Sequence, residues 1–346
     1  MVASIAISAV SSLHLSELYC QNLACISLTT ALDSDASMSI DPEDLLSDSL
    51  QLLYDYTPVT HSSAGSTFTY LRDRPDPQLK DVHPQPSQRE TQTITLQTPE
   101  TQAQNWSLHA SSIWAASIFL ADHLEDLHIS RHIELLRSTG ELPLRVLELG
   151  AGAGLPSILI AKTYGSSLTG NHPDAEVVVS DYPDNELIRT VEENVRRNGV
   201  SRWCSVVPYA WGNDPSALFR PSERTQAIDS ESLLPSIGIE TGFDVIIAAD
   251  TLWDPTSHAG FLKSLQLTLK KSAEARAYLV AGLHTGRYTL RTFMKLVSEY
   301  NFVLLDVTER EVKGDAVRNW DVDRQETEDE RERRRWVIWM TLKWNI

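Results

Sequence analysis

Three glycines alternate at Gly150, Gly152 and Gly154 within the segment Val146-Leu-Glu-Leu-Gly-Ala-Gly-Ala-Gly-Leu-Pro156. An apolar run leads into them, and Pro156 suits the first turn of a helix that follows. Glycine at these positions removes side chains where a backbone must bend tightly and approach a ligand closely. Such a bend, at the C-terminal edge of a sheet, is a seat for a nucleotide-type molecule. A dinucleotide fingerprint requires its third glycine at the position filled here by Leu155. The spacing G-x-G-x-G instead suits a ligand without a pyrophosphate, such as a methyl-donor sulfonium. Glu148 lies inside the apolar run, where an unpaired carboxylate is costly, so it counts with the ligand seat. Asp181 ends Val177-Val-Val-Ser-Asp181. A carboxylate at a strand tip can accept both ribose hydroxyls, in an adenosyl donor or a dinucleotide alike.

Two further segments carry chemistry. In Tyr209-Ala-Trp-Gly-Asn213, an aromatic ring after the strand can stack on adenine. In Ile247-Ala-Ala-Asp-Thr-Leu-Trp253, Ala249 joins the ligand wall, and Asp250 and Trp253 stand where a strand meets its loop. Methyl transfer is a displacement at a sulfonium carbon and needs an aligned nucleophile with a free lone pair. An amine must first lose its proton, which an aromatic, partly dry pocket promotes. Asp250 can hold the incoming amine and Trp253 can wall it. The reaction needs no metal, and none is expected.

The elements that must position these residues alternate from Trp106 onward. Strands are expected at Arg145–Gly150, Glu176–Asp181, Ser205–Trp211, Phe243–Asp250, Ala277–Leu283, Phe302–Thr308 and Trp336–Trp344. Helices are expected at Trp106–Asp126, Leu155–Tyr164, Asn185–Asn198, His258–Lys271 and Tyr288–Tyr300, with Asn198-Gly199 as a helix stop. The order predicts a parallel sheet with helices on both faces. The charged stretch Glu309–Arg335 holds no convincing crossover, so the last strand should run antiparallel. The mixed run Glu326–Arg335 is expected to be a solvated surface, and Pro215–Thr241 a polar insertion. Residues 1–105 are expected to form an N-terminal extension, with a helix at Pro42–Tyr54, a hairpin of Ser66–Leu71 with Thr91–Gln97 and a loop between them. The catalytic domain is expected to span 106–346.

The chain of 346 residues has a net charge of -17. That disfavours binding to nucleic acid, which relies on neutralised phosphates, and is compatible with a basic protein partner, which a negative surface attracts. Cys20, Cys25 and Cys204 show neither disulfide nor zinc spacing, so reduced thiols in a cytoplasmic protein are expected. Val2–Thr30 holds one charge, Glu17, and no Lys or Arg precedes Arg72. That matches neither a secretory signal nor a mitochondrial presequence, and polar residues interrupt it too often for a membrane span. A monomer is expected.

Taken together, the glycine segment, Asp181, the Trp211-Gly212 pair and Asp250-Thr-Leu-Trp253 resemble the seven-β-strand S-adenosyl-L-methionine-dependent protein-lysine methyltransferases. The resemblance covers about Ala110 to Trp344. It is greatest to the fungal nicotinamide N-methyltransferase-like branch, which includes the elongation-factor 1-alpha N-terminal and lysine methyltransferase. It implies a Rossmann-like α/β fold, with a seven-stranded mostly parallel sheet and an antiparallel last strand. It implies S-adenosyl-L-methionine as cofactor, a protein lysine or N-terminal amine as acceptor, and a translation elongation factor as one such protein. It also implies cofactor contacts at Trp114, placed in a helix before the first strand, at Gly150–Gly154, Asp181 and Trp211. The family's acid and aromatic after the fourth strand correspond to Asp250 and Trp253, a Trp where the family carries Tyr or Phe. An Asn-Pro-Pro-aromatic tetrad is absent, which argues against amide or adenine acceptors. Small-molecule N-methylation, a nicotinamide-dependent oxidoreductase and a non-catalytic binding module are the competing readings.

Overall fold

The computed structural model describes residues 57–74, 90–166, 173–219 and 242–346. The expected helix at Pro42–Tyr54, the segment Val2–Thr30, Cys20, Cys25 and most of the two polar loops lie outside these residues. The remaining thiol, Cys204, is free and buried, and burial pushes its pKa up.

Among the described residues the main sheet has eight strands. They are β3 (Leu144–Leu149), β4 (Ala175–Asp181), β5 (Cys204–Pro208), β6 (Val245–Ala249), β7 (Arg276–Gly282), β8 (Phe302–Glu311), β9 (Val317–Asn319) and β10 (Trp336–Trp344), in the order β5-β4-β3-β6-β7-β10-β8-β9. The first five in that order are parallel. β10 is antiparallel to both neighbours, sitting between β7 and β8. All seven expected strands are present, and β9 adds an eighth, a short edge strand inside the charged stretch Glu309–Arg335.

Strand alternation splits the core. Leu144 and Val146 of β3 enter one apolar cluster, Leu147 and Leu149 the other. Glu148 has the parity of the first pair and faces the helix after β3. That helix, α3 (Leu155–Tyr164), follows α1 (Ala115–Asp122) and α2 (Ile129–Thr139), and precedes α4 (Asn185–Arg197). α5 (His258–Thr268) and α6 (Arg287–Leu296) supply buried side chains to the other cluster. α2 was not anticipated.

α3 is apolar all round, so both sides must be covered: Leu155, Ile158, Leu159, Ile160 and Ala161 are all buried. The sheet covers one side. The other is packed by α1 and by the antiparallel pair β1 (Thr67–Arg74) and β2 (Glu90–Gln97), which is the expected hairpin. The free edge of β2 is satisfied by side chains. Asn194 exchanges two bonds with the Gln97 backbone (2.7 and 2.9 Å), and Asn198 two with Thr95 (3.1 and 2.9 Å). Four helical residues rise about 6 Å and two strand residues about 6.7 Å, so the asparagines match alternate strand positions. The hairpin is thus part of the same compact unit as the sheet, Thr57–Ile346. A division after residue 105 would cut it away from α3.

One acid of the mixed charge run, Glu328, is drawn inward; its side chain is 8% exposed. Arg287 is fully buried and grips Glu309 through two bonds (2.5 and 2.9 Å) and Glu328 through two more (2.9 and 2.7 Å). Arg318 joins both acids, and Arg324 joins Glu309. Burial alone would raise the Glu309 carboxyl, but Arg287, Arg318 and the Asp321 amide together outweigh it and hold it low. A one-dimensional charge pattern cannot reveal this, because Arg287 arrives from a distant helix. α7 (Glu330–Arg334) completes the segment.

Candidate active site

β3, β4 and β6 end side by side, and their C-terminal loops wall a cavity of about 540 Å³. The glycine bend is stitched to β4. The Ser180 carbonyl accepts from the amides of Gly150 (3.0 Å) and Ala151 (3.1 Å). Asp181 Oδ2 accepts from the Gly152 amide (2.7 Å) and Oδ1 from that of Tyr182 (2.6 Å). Gly152 and Asp181 therefore share one wall, as do Glu148, Gly150, Trp211 and Ala249. Trp211 stands in the turn beyond β5, which stops at Pro208 and not at Trp211 as expected.

The glycines differ in their work. All three have positive φ, at +70° (Gly150), +55° (Gly152) and +82° (Gly154). A methyl group on Gly152 would meet nothing nearer than 3.9 Å, so this residue opens onto the cavity. On Gly150 it would lie 2.8 Å from Thr251 and 3.0 Å from the Trp211 ring. Gly154 does not line the cavity, contrary to expectation. It caps α3 and faces Val191, Ile158 and Val179. Gly150→Ala is expected to cost about 1–3 kcal/mol through strain and clash together, against about 1 kcal/mol for Gly152→Ala. Thermal unfolding of the pair checks this, and equal losses would contradict the packing at Gly150.

Both inner carboxylates are perturbed by burial. Asp181 is pushed up to about 6, with the Gly152 and Tyr182 amides opposing the shift. Glu148 is pushed up to about 8, although its Oε2 accepts from the Ser157 amide in the first turn of α3 (3.2 Å).

Asp250 and Trp253 line the same cavity. Asp250 has φ +55°, a conformation that Asp tolerates better than most residues. Its Oδ1 accepts from the Gly282 amide at the end of β7 (2.8 Å). Oδ2 is buried and has no hydrogen-bond partner. Burial raises the Asp250 carboxyl, opposed by His284 and by the Gly282 amide.

Trp114 lines the cavity too, but outside a helix. The expected helix Trp106–Asp126 is broken: a 3-10 turn, Ala103–Leu108, ends at His109 with φ +53°. Trp114 is extended and caps the start of α1. The flanking backbone pairs with residues 59–61 through Ala115 N to Val59 O and His61 N to Ile113 O, both 2.8 Å. Asp184 anchors the other end. While capping α4 through the Glu186 and Leu187 amides, it accepts from Gln102 N (3.0 Å) and Asn105 Nδ2 (2.7 Å). Between these anchors His109 meets Trp253 edge-on (5.0 Å between ring centres), and its carbonyl accepts from Trp114 Nε1 (2.9 Å). His109, Asp184 and Tyr182 were not singled out from sequence, since neither periodicity nor motif marks them.

A family described as lysine methyltransferase matches residues 91–300. The protein N-terminal and lysine N-methyltransferase EFM7 of Gibberella zeae is 31% identical over 178 residues, covering 49% of this chain and 56% of the relative. Its counterpart in Debaryomyces hansenii is 32% identical over 164 residues, covering 47% and 53%. The protein-lysine N-methyltransferase EFM2 of Saccharomyces cerevisiae is 27% identical over 165 residues, covering 47% and 34%. The chain spans about half the length of the EFM7 relatives it matches. The match of the family over well over half of the 346 residues, on the segment that builds the cavity, means that the chain belongs to the lysine methyltransferase family.

Proposed function

We propose that the chain is an S-adenosyl-L-methionine-dependent N-methyltransferase acting on a lysine or the N-terminal amine of a protein. The observation that carries this reading is the charge of the cavity. Glu148, Asp181, Asp250 and Asp254 line it, and no Lys or Arg does among the described residues. A pyrophosphate would face four acids there with no Lys or Arg to neutralise it, whereas a sulfonium and an amine suit the site. This disfavours a nicotinamide dinucleotide.

The residues fit the donor. Gly152 leaves open space, Asp181 has lone pairs left for two ribose hydroxyls, Trp211 offers a ring face, and Glu148 and Ala249 complete the wall. When bound, S-adenosyl-L-methionine supplies an electrophilic methyl group. Asp250 Oδ2, buried and without a donor, is the acceptor for an amine N–H, and it orients the nitrogen lone pair. Trp253, Trp114 and His109 wall the approach and limit water, which favours the neutral amine.

Donor binding is expected to strengthen from pH 5 to pH 8. Only the ionised Asp181 accepts from both hydroxyls, and its pKa near 6 leaves about one carboxyl in ten ionised at pH 5. Binding at pH 7 should release a proton, because a cationic ligand favours ionised Glu148, which is largely protonated in the free protein. Calorimetry in two buffers of different ionisation enthalpy measures both effects. A flat profile with no proton release would remove these carboxylates from the donor site.

The direct test incubates the protein with S-adenosyl-L-methionine labelled on its methyl group and either a yeast lysate or purified elongation factor 1-alpha. A labelled protein band supports the reading. No donor binding, or label confined to small molecules, overturns it.

A further inference from the structure

Behind the cavity wall lies His284, in the 3-10 turn Leu283–Thr285 after β7. Its imidazole stacks on the Trp114 indole, with ring centres 5.5 Å apart and planes within 8°. Its Nδ1 fills the space that a side chain on Gly282 would need: a methyl group there would lie 2.2 Å from Nδ1 and 3.4 Å from Asp250 Oδ1. Gly282 has φ -69°, which any residue adopts, so space and not backbone conformation requires glycine here. Gly282 thus donates its amide to Asp250 and, by lacking a side chain, lets the imidazole and the carboxylate share one hollow. The charged groups facing the imidazole are Asp250, at the end of β6, and Glu330 of α7, itself paired with Arg334. The titratable group facing Asp250 is His284.

We propose that His284 is a positioning residue of the acceptor site, backing Trp114 with its ring and facing Asp250 with its charge. This rests on Asp250 being the group that receives the amine. His284 does not line the cavity, so it acts through its two neighbours. Burial disfavours the ionised form of Asp250, and the imidazole in the same hollow works against that penalty. The stacked ring fixes Trp114 at the point where the backbone passes from extended to helical.

The two contributions separate by substitution. His284→Phe keeps a ring against Trp114 and removes the charge. Gly282→Ala keeps the imidazole and pushes it out of the hollow. In label transfer from S-adenosyl-L-methionine to yeast lysate proteins, measured from pH 5 to 9, loss of the positive charge raises the pKa of Asp250. The acid limb of the rate should therefore move to higher pH, by about 0.5 unit or more in both variants. A change that only loosened packing would lower the rate at every pH and leave the limb in place. Acid limbs of both variants that coincide with that of the wild type overturn the inference, while label still transferred by the wild type and lost in Asp250→Asn leaves the acceptor reading standing. No transfer by the wild type, or a full rate in Asp250→Asn, overturns that reading and this inference with it.

Discussion

Asp250→Asn is expected to lower methyl transfer by about 10²-fold or more, with S-adenosyl-L-methionine binding left within about threefold. The substitution removes charge and little else. Asn is among the residues that accept φ near +55°, and its carbonyl oxygen can keep the bond from the Gly282 amide. At Oδ2, which has no partner, an acceptor becomes an NH₂ donor that opposes an incoming N–H. Asp250→Ala should be as inactive and also less stable, since it leaves the Gly282 amide unsatisfied in a buried place. Initial rates at saturating donor, with calorimetry on the same samples, read both quantities. A normal rate in either variant would exclude Asp250 from the reaction.

The second large effect falls on binding. Asp181→Ala is expected to weaken the donor by about 1–3 kcal/mol, the usual worth of hydrogen bonds to a charged group. That is about 5- to 150-fold in Kd. Part of the loss would be indirect, because Asp181 also holds the Gly152 and Tyr182 amides and so shapes the bend itself. Asp181→Asn keeps one acceptor oxygen and should fall between the two. Once donor is saturating, the rate should recover most of its value in both variants, in contrast to Asp250. Unchanged affinity in Asp181→Ala would remove the residue from the donor site.

Much of this site could be read from the sequence because strand tips are marked locally. An apolar run that ends in glycine or an acid announces both the element and its edge, so Gly150, Asp181 and Asp250 stand out in the sequence as strand tips and Glu148 as an acid inside one, and all four line the cavity. The shape of the Trp106–Trp114 segment could not be read that way. Its apolar spacing is helical, but Asp184 and residues 59–61 hold it in a 3-10 turn and an extended stretch. These are tertiary bonds from positions far along the chain, and they override local propensity. Gly154 failed for a related reason: its spacing matches its neighbours, yet the bend has already turned it toward α4. The charge run Glu326–Arg335 is exposed or half-exposed as expected, and its one departure is the side chain of Glu328, whose burial depends on Arg287 and Arg318 arriving beside it. The two histidines near the site carry no motif at all. Their roles depend on rings they meet only after folding.

The place of β10 has a consequence for how the protein is made. This strand comes last along the sheet-forming segment, yet it fills the slot between β7 and β8. A nascent polypeptide that has left the ribosome only as far as residue 335 carries both of those strands with an unpaired side. Such edges recruit other chains readily. Synthesis should therefore pass through a chaperone-dependent interval that closes only when Trp336–Trp344 emerges, and stalling within it should give insoluble product.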